Sequence, residues 1–548
     1  MRKTYHQTES YTATKNTVID TLSIFEFTDH TIKDAWINIG GYQAWSGAFE
    51  IAPGKKQPKL KYSVLPILTE ILSFPNTNYK ESKRYVLGHF VSYLRWNDTY
   101  LVFASCGNVN NTLPPVQFVF DRQNNDVKIE LCDKGKSWEK DELACEVEIF
   151  LAESYFDAKE KLGEIFTGKN FEQIEFLRVN DKSMILGWES WYNHYTDINE
   201  ELILEDLDAL VSENILQNLK EDQPIIFQID DGWEKHVGDW TINEDKFPSG
   251  LSSIVDSIES KGFVPGLWVA PFLVFESNPI AIEHPDWILR NNNNKKVTAG
   301  LNFAWEASRY YVLDLSKDEV LEYLDSIMET VINEWGFRYI KLDFLFSGML
   351  YGNYANSGAS YEWYKKAIKL LTRRKKTKDG KNVAYLGCGL PMELSFNEFP
   401  ISRIGCDTCE HWKETYLTRV NFVGGANTYY NLKDTIGRAM WDNTIFVNDP
   451  DVLFIREDNC TLTKEQKLLI AKIDIMLSGQ IMYSDDPKKC TEADMELTKE
   501  ITELYNKYKD EEFSVKNITE NNIEYRSKSG KYTGELKLMN KSSRRNFS

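Results

Sequence analysis

The distribution of apolar and polar residues divides the chain into three regions. Between residues 16 and 166, short runs of β-branched and aromatic residues, such as 100–103 and 116–120, are separated by polar turn clusters. This pattern is typical of an antiparallel β-sandwich. From Ser183 onward, short apolar strands alternate with stretches of helical periodicity, and after Glu512 strand-like segments return. The sequence therefore predicts a β-sandwich, a β/α domain and a short β-domain, in that order.

The middle region predicts a (β/α)8 TIM barrel, because strands that alternate with helices over this length form a closed parallel sheet. The eight predicted strands are 184–190, 224–230, 264–270, 338–343, 383–388, 401–406, 444–448 and 481–484. The predicted domains are the N-terminal β-sandwich at 1–180, the barrel at 181–508, and a C-terminal β-domain at 509–548 that is short enough to be abbreviated or truncated.

The helix before the fourth barrel strand can be predicted in detail. Ser316 and Glu319 form a candidate capping box, and Gly336 ends the helix. Its predicted buried face consists of Val320, Leu324, Ile327, Val331 and Trp335.

Charged residues stand at the carboxyl ends of several predicted strands. The fourth strand contains Lys341 and ends in Asp343, Asp407 follows the sixth, and Asp230 and Asp231 close the second. Barrels place their active sites at this end of the sheet, so these positions predict a carboxylate-rich pocket. The alternative is that Lys341 and Asp343 simply pair with each other, since residues two apart share one face of a strand.

Composition narrows the class of protein. The chain has 548 residues and a formal charge of −19, which opposes binding to nucleic acid or to an anionic membrane. This negative charge is more compatible with a neutral ligand than with an anionic one. Residues 1–17 lack the apolar core of a secretory signal, and no run approaches the ~20 apolar residues of a membrane span, so we expect a cytoplasmic protein. The sequence leaves the oligomeric state open.

The cysteine pattern favours reduced thiols. Eight cysteines are scattered mostly through apolar strands rather than spaced as a disulfide framework. Cys406 and Cys409 have CxxC spacing, but neither a second such pair nor a histidine motif accompanies them. The acidic stretch 448–451 is expected to fix loops, and the sequence contains no HExxH, EF-hand or P-loop pattern. We predict no metal and no cofactor.

Eight short motifs follow one another along the chain. They are GWESWY from Gly187, QIDDGW from Gln228, GDW from Gly238, GLWVAPF from Gly266, HPDW from His284, YIKLDF from Tyr339, GCG from Gly387 and RIGCDT from Arg403. Together they resemble family 36 of the glycoside hydrolases, the bacterial α-galactosidases of clan D. The resemblance extends from the N-terminal region to about Asp486.

The resemblance implies a retaining mechanism that uses two carboxyl groups. Asp343 matches the family's nucleophile, and Asp407 matches its acid/base. Asp230 and Asp231 match the motif that binds the O4 and O6 side of the sugar. Cys388 and Gly389 match positions beside C2 of the sugar. The full set of matching substrate-binding positions is Trp45, Trp191, Tyr192, Asp230, Asp231, Trp268, Lys341, Cys388, Gly389 and Arg403.

Several of these assignments have competing interpretations. Lys341 near Asp343 would favour the ionised form that a nucleophile needs, and apolar surroundings would keep Asp407 protonated. The alternative is a plain structural ion pair between Arg403 and Asp407. Trp45, in the glycine-framed loop 40–47, is either a sugar platform or an ordinary core tryptophan.

One departure from the family pattern is a pair of cysteines beside the acid/base position. Many relatives have proline before this aspartate and alanine two residues after it, whereas this chain has Cys406 and Cys409. Oxidation of the pair would strain the Asp407 loop. Redox sensitivity of the enzyme is therefore a hypothesis.

The predicted function is that of a retaining exo-α-galactosidase, which releases terminal α-linked galactose from small soluble saccharides of the melibiose or raffinose type. Two alternatives keep the pocket: an α-N-acetylgalactosaminidase and an α-galactosyltransferase of the raffinose-synthase kind. A third is a non-catalytic sugar-binding protein on a degenerate barrel. The expected partner is a small carbohydrate, not nucleic acid or a membrane.

Overall fold

The architecture is that of a computed structural model. It describes residues 1–58, 74–166, 170–213, 215–216, 218–220, 222–301, 305, 309–412 and 426–538. None of the helices in these ranges is both long enough and apolar enough to cross a membrane.

The N-terminal region forms the predicted β-sandwich. Its six-stranded sheet has the order β1-β12-β8-β7-β4-β5, and its four-stranded sheet has the order β3-β10-β9-β6. Phe103 of the first sheet contacts Phe118 and Phe120 of the second at ring-centroid distances of 5.7 and 5.6 Å, so the aromatic runs form the core between the sheets. The strands are β1 Arg2–His6, β2 Tyr11–Thr12, β3 Thr17–Ser23, β4 Trp36–Asn38, β5 Glu50–Ile51, β6 Tyr85–His89, β7 Val91–Trp96, β8 Thr99–Ser105, β9 Val116–Asp121, β10 Asp126–Leu131, β11 Ser137–Trp138 and β12 Leu143–Ala152.

The middle region forms the predicted parallel barrel. Nine strands pair in the order β22-β21-β20-β19-β15-β14-β13-β24-β23. β22 and β23 are separated by Pro450 and Asp451 alone, so they are two parts of one strand that pairs with β21 on one side and β24 on the other. This interrupted strand closes the sheet. The barrel strands are β13 Ile185–Glu189, β14 Ile225–Ile229, β15 Phe263–Val269, β19 Tyr339–Leu342, β20 Ala384–Gly387, β21 Ile401–Arg403, β22 Val447–Asp449, β23 Val452–Leu453 and β24 Gln480–Tyr483. A separate antiparallel sheet in the order β16-β18-β17 is formed by β16 Leu273–Val274, β17 Thr298–Leu301 and β18 Arg309–Val312.

All eight predicted barrel strands are confirmed, and two differ in length. The sixth ends at Arg403 instead of Cys406, because the chain leaves the sheet: Asn427 donates its backbone N–H to Asp407. The seventh begins at Val447 instead of residue 444, since Ile445 forms a turn by donating its N–H to the carbonyl of Trp441.

The helices pack around the barrel and against the sandwich. They are α1 Tyr155–Ile165, α2 Trp191–His194, α3 Glu200–Glu213, α4 Leu251–Ser260, α5 Pro279–Glu283, α6 Asp318–Glu329, α7 Ser360–Leu371, α8 Met392–Ser395, α9 Thr428–Arg438, α10 Lys464–Leu477 and α11 Glu492–Tyr508.

The predicted capping box of α6 is wrong. Lys317 precedes the helix and makes no side-chain cap. The Ser316 hydroxyl instead donates to Asp314 at 2.7 Å and accepts the N–H of Asn356, which ties two loops together. The predicted buried face is confirmed for Val320, Leu324, Ile327 and Val331, whereas Trp335 is only half-buried. Beyond Glu329 the helix continues as one wide π turn, Thr330–Glu334.

The last described residues form a three-stranded antiparallel sheet in the order β25-β26-β27. Its strands are β25 Phe513–Asn517, β26 Asn522–Ser527 and β27 Thr533–Lys537. The domain boundaries stay predictions: residue 180 lies in the loop before β13, and residue 508 is the last residue of α11.

Candidate active site

Asp343 is held rigidly at the carboxyl end of β19. Its backbone N–H continues the parallel ladder to the Val269 carbonyl at 2.9 Å. One carboxylate oxygen accepts the Trp268 indole N–H at 3.0 Å, and the other accepts the backbone N–H of Phe344 at 2.6 Å. Phe344 has a positive φ of 53°, a conformation unusual for an aromatic residue and concentrated at functional sites. Both oxygens of Asp343 are therefore fixed in direction.

Lys341 pairs with other carboxylates, so the alternative of a Lys341–Asp343 ion pair is wrong. Its ammonium group lies 2.8 Å from Asp230 and 3.3 Å from Glu189. Burial alone would lower the pKa of Lys341, but Asp230 and then Glu189 raise it well above its usual value. Lys341 is thus a fixed cation beneath the pocket.

The two aspartates after β14 point to different partners. Adjacent residues within a strand point to opposite faces, but this strand ends at Ile229. Both side chains can therefore reach one ligand. Asp230 accepts hydrogen bonds from Gln228 and Lys341. Asp231 accepts the indole N–H of Trp305 at 2.7 Å. Burial and then the neighbouring Glu234 raise the pKa of Asp231 well above its usual range.

Asp407 is anchored by an arginine that serves three carboxylates. Arg403 lies 3.2 Å from Asp407, 3.0 Å from Asp449 and 2.8 Å from Asp451. The expected ion pair is therefore present, but it is one contact of a wider clamp. The loop-fixing role predicted for residues 448–451 agrees with this clamp, because Asp451 also accepts from the Tyr192 hydroxyl at 2.6 Å.

The environment of Asp407 suits a group that carries a proton. Desolvation within the cleft and then the Asp451 carboxylate raise the pKa of Asp407 to about 7, against the opposing effect of Arg403. Its side chain is nonetheless 44% exposed. A ligand that covers this accessible face would complete the desolvation and favour the protonated form of Asp407 further.

Asp343 and Asp407 converge on Cys388. In the sheet order, β20 lies between β19 and β21, and Cys388 directly follows β20. Neighbouring strands lie ~4.8 Å apart, so side chains two strands apart can face one ligand. Burial raises the pKa of the Cys388 thiol, and Asp343 raises it further, as does Asp407. The carboxylate of Asp343 also raises the pKa of Asp407.

Trp45 reaches the barrel mouth from the sandwich domain. Its ring lies 5.2 Å from that of Phe344 and 5.6 Å from that of Phe346. The side chain is buried, as the core interpretation requires, yet it is buried against the residue that follows Asp343. Among the described residues, its indole N–H has no hydrogen-bond acceptor. A ligand hydroxyl is a suitable acceptor for it.

Gly389 lines the same wall of the mouth. Its φ of +60° is unfavourable for other residues, and a Cβ there would lie 3.3 Å from the Trp45 ring and 3.4 Å from Phe344. Any larger residue would press on both.

The remaining predicted aromatic residues lie at the edge of the cleft. Trp191 is half-buried at the start of α2, with its ring 5.3 Å from that of Tyr195. Tyr192 is buried and bonded to Asp451. The structure therefore brings all twelve predicted site residues to one end of the barrel.

Comparison with known proteins agrees with this geometry. A profile of the melibiase family matches residues 175–351, which contain six of the eight motifs. Residues 175–351 are melibiase-family sequence. The α-galactosidase AgaA of Geobacillus stearothermophilus is 29% identical over 161 residues, which are 28% of this chain and 20% of that protein. An A type blood α-D-galactosamine galactosaminidase of Flavonifractor plautii is 28% identical over 195 residues, which are 34% of this chain and 16% of that protein. The matches thus span a fifth or less of these curated relatives.

A solved structure extends the fold comparison beyond the melibiase segment. TtGalA, an α-galactosidase from Thermus thermophilus in complex with p-nitrophenyl α-D-galactopyranoside, superimposes with a TM-score of 0.68. The superposition covers 92% of this chain and 91% of that chain at 23% identity. The barrel and its flanking β-domains therefore share one fold with this enzyme.

Within the described ranges, no group of three or more His, Cys, Asp or Glu side chains is arranged to hold a metal ion. All eight cysteines are free thiols, and burial raises the pKa of Cys406 well above its usual value and that of Cys409 to about 11. Thiol oxidation proceeds through the thiolate, so these shifts disfavour the redox hypothesis, which stays a prediction.

Four residues of the site are not among the predicted catalytic or substrate-binding positions. Glu189 lies within a quoted motif, and its buried carboxyl faces Lys341, while burial raises its pKa to about 8. Asp451 could be noticed in the sequence because it belongs to the acidic stretch 448–451. Trp305 and Arg438 have no such signal, because a lone tryptophan in a loop and a lone arginine in a helix have many ordinary roles.

Arg438 fixes the Trp45 loop to the barrel. This fully buried guanidinium donates to the carbonyls of Gly40, Gln43, Ala44 and Ser46, at 2.8 to 3.0 Å, and also to that of Ile404. One side chain thus joins the loop that presents Trp45 to the segment that leads to Asp407. Next to it, Gly437 packs so closely on the Ala48 carbonyl that no Cβ fits.

Arg438→Lys is expected to lower the free energy of unfolding by about 3 kcal/mol, because a lysine's three N–H donors cannot serve five buried carbonyls. It should also raise KM for an α-galactoside more than it lowers kcat, since the Trp45 loop loses its anchor. Urea denaturation and steady-state kinetics measure the two effects. Arg373→Lys, at an exposed pair with Asp325, is the matched control and should change stability by less than about 1 kcal/mol. Equal behaviour of the two variants would contradict the assigned role.

Proposed function

We propose that the chain is a retaining α-galactosidase that cleaves terminal α-linked galactose from small saccharides by double displacement. The observation that carries the proposal is that Asp343 and Asp407 follow β19 and β21, the strands on either side of the strand that Cys388 follows. The melibiase-family match and the α-galactosidase relatives support the choice of sugar. The proposal that these twelve residues act on substrate rests on the same geometry.

In the first step, Asp343 attacks C1 of the galactosyl group while Asp407 protonates the departing oxygen. Trp268 and the N–H of Phe344 keep the Asp343 carboxylate aimed at C1. The raised pKa of Asp407, to about 7, keeps its proton available near neutral pH. In the second step, Asp407 accepts a proton from water, and the water displaces Asp343 from C1.

Asp230, Asp231 and Lys341, on the floor of the pocket, recognise galactose. Asp230 is oriented by Gln228 and Lys341, and Asp231 by Trp305. Such buried polar groups reject sugars that leave them unpaired, because each lost hydrogen bond leaves a desolvated group. We therefore assign the discrimination between galactose and glucose to these side chains.

The deciding experiment compares two substrates. The wild type is assayed on 4-nitrophenyl α-galactoside and on its 2-acetamido analogue, with Asp343→Ala as the inactive control. We expect turnover of the galactoside alone, because the curated relatives that support the choice of sugar are mainly α-galactosidases. Turnover of the acetamido substrate alone would favour the galactosaminidase alternative, to which the Flavonifractor plautii relative points. Binding without turnover of either would overturn the enzyme proposal.

The pH profile offers a second test. Asp407 must be protonated for the first step, and its pKa is raised to about 7. Activity should therefore be retained below this pH, and kcat/KM for melibiose should fall about tenfold per pH unit above it. The apparent value belongs to the coupled carboxylates around Arg403. An alkaline limb near pH 4, the usual range of an aspartate, would contradict the assigned acid.

A further inference from the structure

Tyr195 is an exposed aromatic side chain beside the cleft, and its backbone conformation is unusual. It is 47% exposed, and its φ is +50°, which non-glycine residues rarely adopt. It directly follows α2, and its N–H donates to the Trp191 carbonyl at 2.6 Å. Such backbone geometry persists where surrounding contacts enforce it, and it is concentrated at functional sites.

The ring and the hydroxyl of Tyr195 are both fixed. The ring packs edge-on against Trp191 at a centroid distance of 5.3 Å. The hydroxyl donates to Oε1 of Glu410 at 3.0 Å. Arg456 donates to the same oxygen at 2.9 Å and to the Tyr192 carbonyl at 2.9 Å. The exposed face of Tyr195 is therefore presented by a rigid frame, not by a free side chain.

Glu410 retains one oxygen for a ligand. Both of its hydrogen-bond donors, Tyr195 and Arg456, bind Oε1. Within the part of the chain that the structure describes, Oε2 accepts no hydrogen bond. The carboxylate side chain is only 12% exposed, so an incoming hydroxyl would find an oriented acceptor there.

The position of this pair relative to Asp407 indicates which part of a substrate meets it. Glu410 lies three residues after Asp407 on the same segment, whereas Asp343 and Trp268 approach from the other side of Cys388. The acid must contact the oxygen of the departing group. That group therefore lies on the Asp407 side of C1, toward Glu410 and Tyr195.

We propose that Tyr195 and Glu410 form the binding site for the leaving-group sugar. The exposed Tyr195 ring stacks on the C–H face of this sugar, and Glu410 Oε2 accepts a hydrogen bond from one of its hydroxyls. This inference rests on the proposed galactosidase activity and adds which residues choose the leaving group. It predicts that the pair controls preference among α-galactosides and leaves the galactose pocket unaffected.

The test compares two leaving groups of different size. α-Galactosyl fluoride releases a single atom that cannot touch Tyr195, whereas melibiose releases a whole sugar. Tyr195→Ala should lower kcat/KM for melibiose about tenfold and leave kcat/KM for the fluoride within about twofold. Tyr195→Phe keeps the ring and should lose less on melibiose than the alanine variant. Phe25→Ala, an exposed aromatic residue of the sandwich, is the control and should match the wild type on both substrates.

The outcomes separate the two proposals. Equal losses on melibiose and the fluoride would mean that Tyr195 only shapes the galactose pocket, and the inference would fail while the function stood. No loss on either substrate would also refute it. A wild type that turned over neither substrate would overturn the proposed function, and the leaving-group site with it.

Discussion

Asp343→Ala is expected to lower kcat/KM for 4-nitrophenyl α-galactoside by on the order of 10⁴-fold or more, as found when the group that forms a covalent intermediate is removed. The structure gives the reason, because the Trp268 indole and the Phe344 N–H fix this carboxylate toward the cleft. Lys341 is committed to Asp230 and Glu189, so no neighbouring side chain replaces the lost nucleophile. Steady-state kinetics on purified enzymes measure the loss.

The product formed with added azide tests the role of Asp343 further. In the alanine variant, azide would attack C1 from the vacated side and give β-galactosyl azide, the inverted product. Asp98→Ala removes an exposed carboxylate that pairs with Lys516 and should keep activity within about twofold of wild type. Residual activity of Asp343→Ala within tenfold of wild type would rule out a nucleophilic role.

Asp407→Ala is expected to show a loss that depends on the leaving group. The first step with melibiose should slow by about 10³-fold, because its departing alkoxide needs a proton. The first step with α-galactosyl fluoride should be nearly unchanged, since fluoride departs with little acid assistance. Rapid-quench or steady-state kcat/KM measurements on both substrates give the ratio.

The matched control for Asp407 is the isosteric Asp407→Asn variant, which keeps the contact with Arg403 but has no acidic proton. It should show the same selective loss and no alkaline limb near pH 7. Equal losses on melibiose and the fluoride in either variant would assign Asp407 to the structural clamp around Arg403. The alternative of a plain ion pair would then be correct.

Much of the fold was predictable because the barrel strands have a strong local signal. Short runs of fully buried apolar residues between amphipathic helices read as parallel strands, and Tyr339–Leu342 is one of them. Strand ends were less predictable. The sixth strand stops at Arg403 because the chain then leaves the sheet, and Asn427, which is remote in sequence, donates its backbone N–H to the carbonyl of Asp407.

The site shows the same division between local and remote signals. Charges at strand ends located Asp230, Asp343 and Asp407, because carboxylates in apolar strands are rare. The alternative pairing of Lys341 with Asp343 is wrong, and its actual partners had no local signal, because Asp230 and Glu189 come from other strands of the closed barrel. Arg438 had no local signal at all, since its five acceptors lie 34 or more residues away.

Trapping the covalent intermediate tests the central claim most directly. The wild type is incubated with 5-fluoro-α-galactosyl fluoride, digested, and its peptides are analysed by mass spectrometry. One fluorogalactosyl group is expected on the peptide that contains Asp343, because that carboxylate attacks C1 while Asp407 faces the leaving group. An adduct on Asp230, Asp231 or Asp407, or the absence of any adduct in an enzyme that turns over α-galactosides, would contradict it.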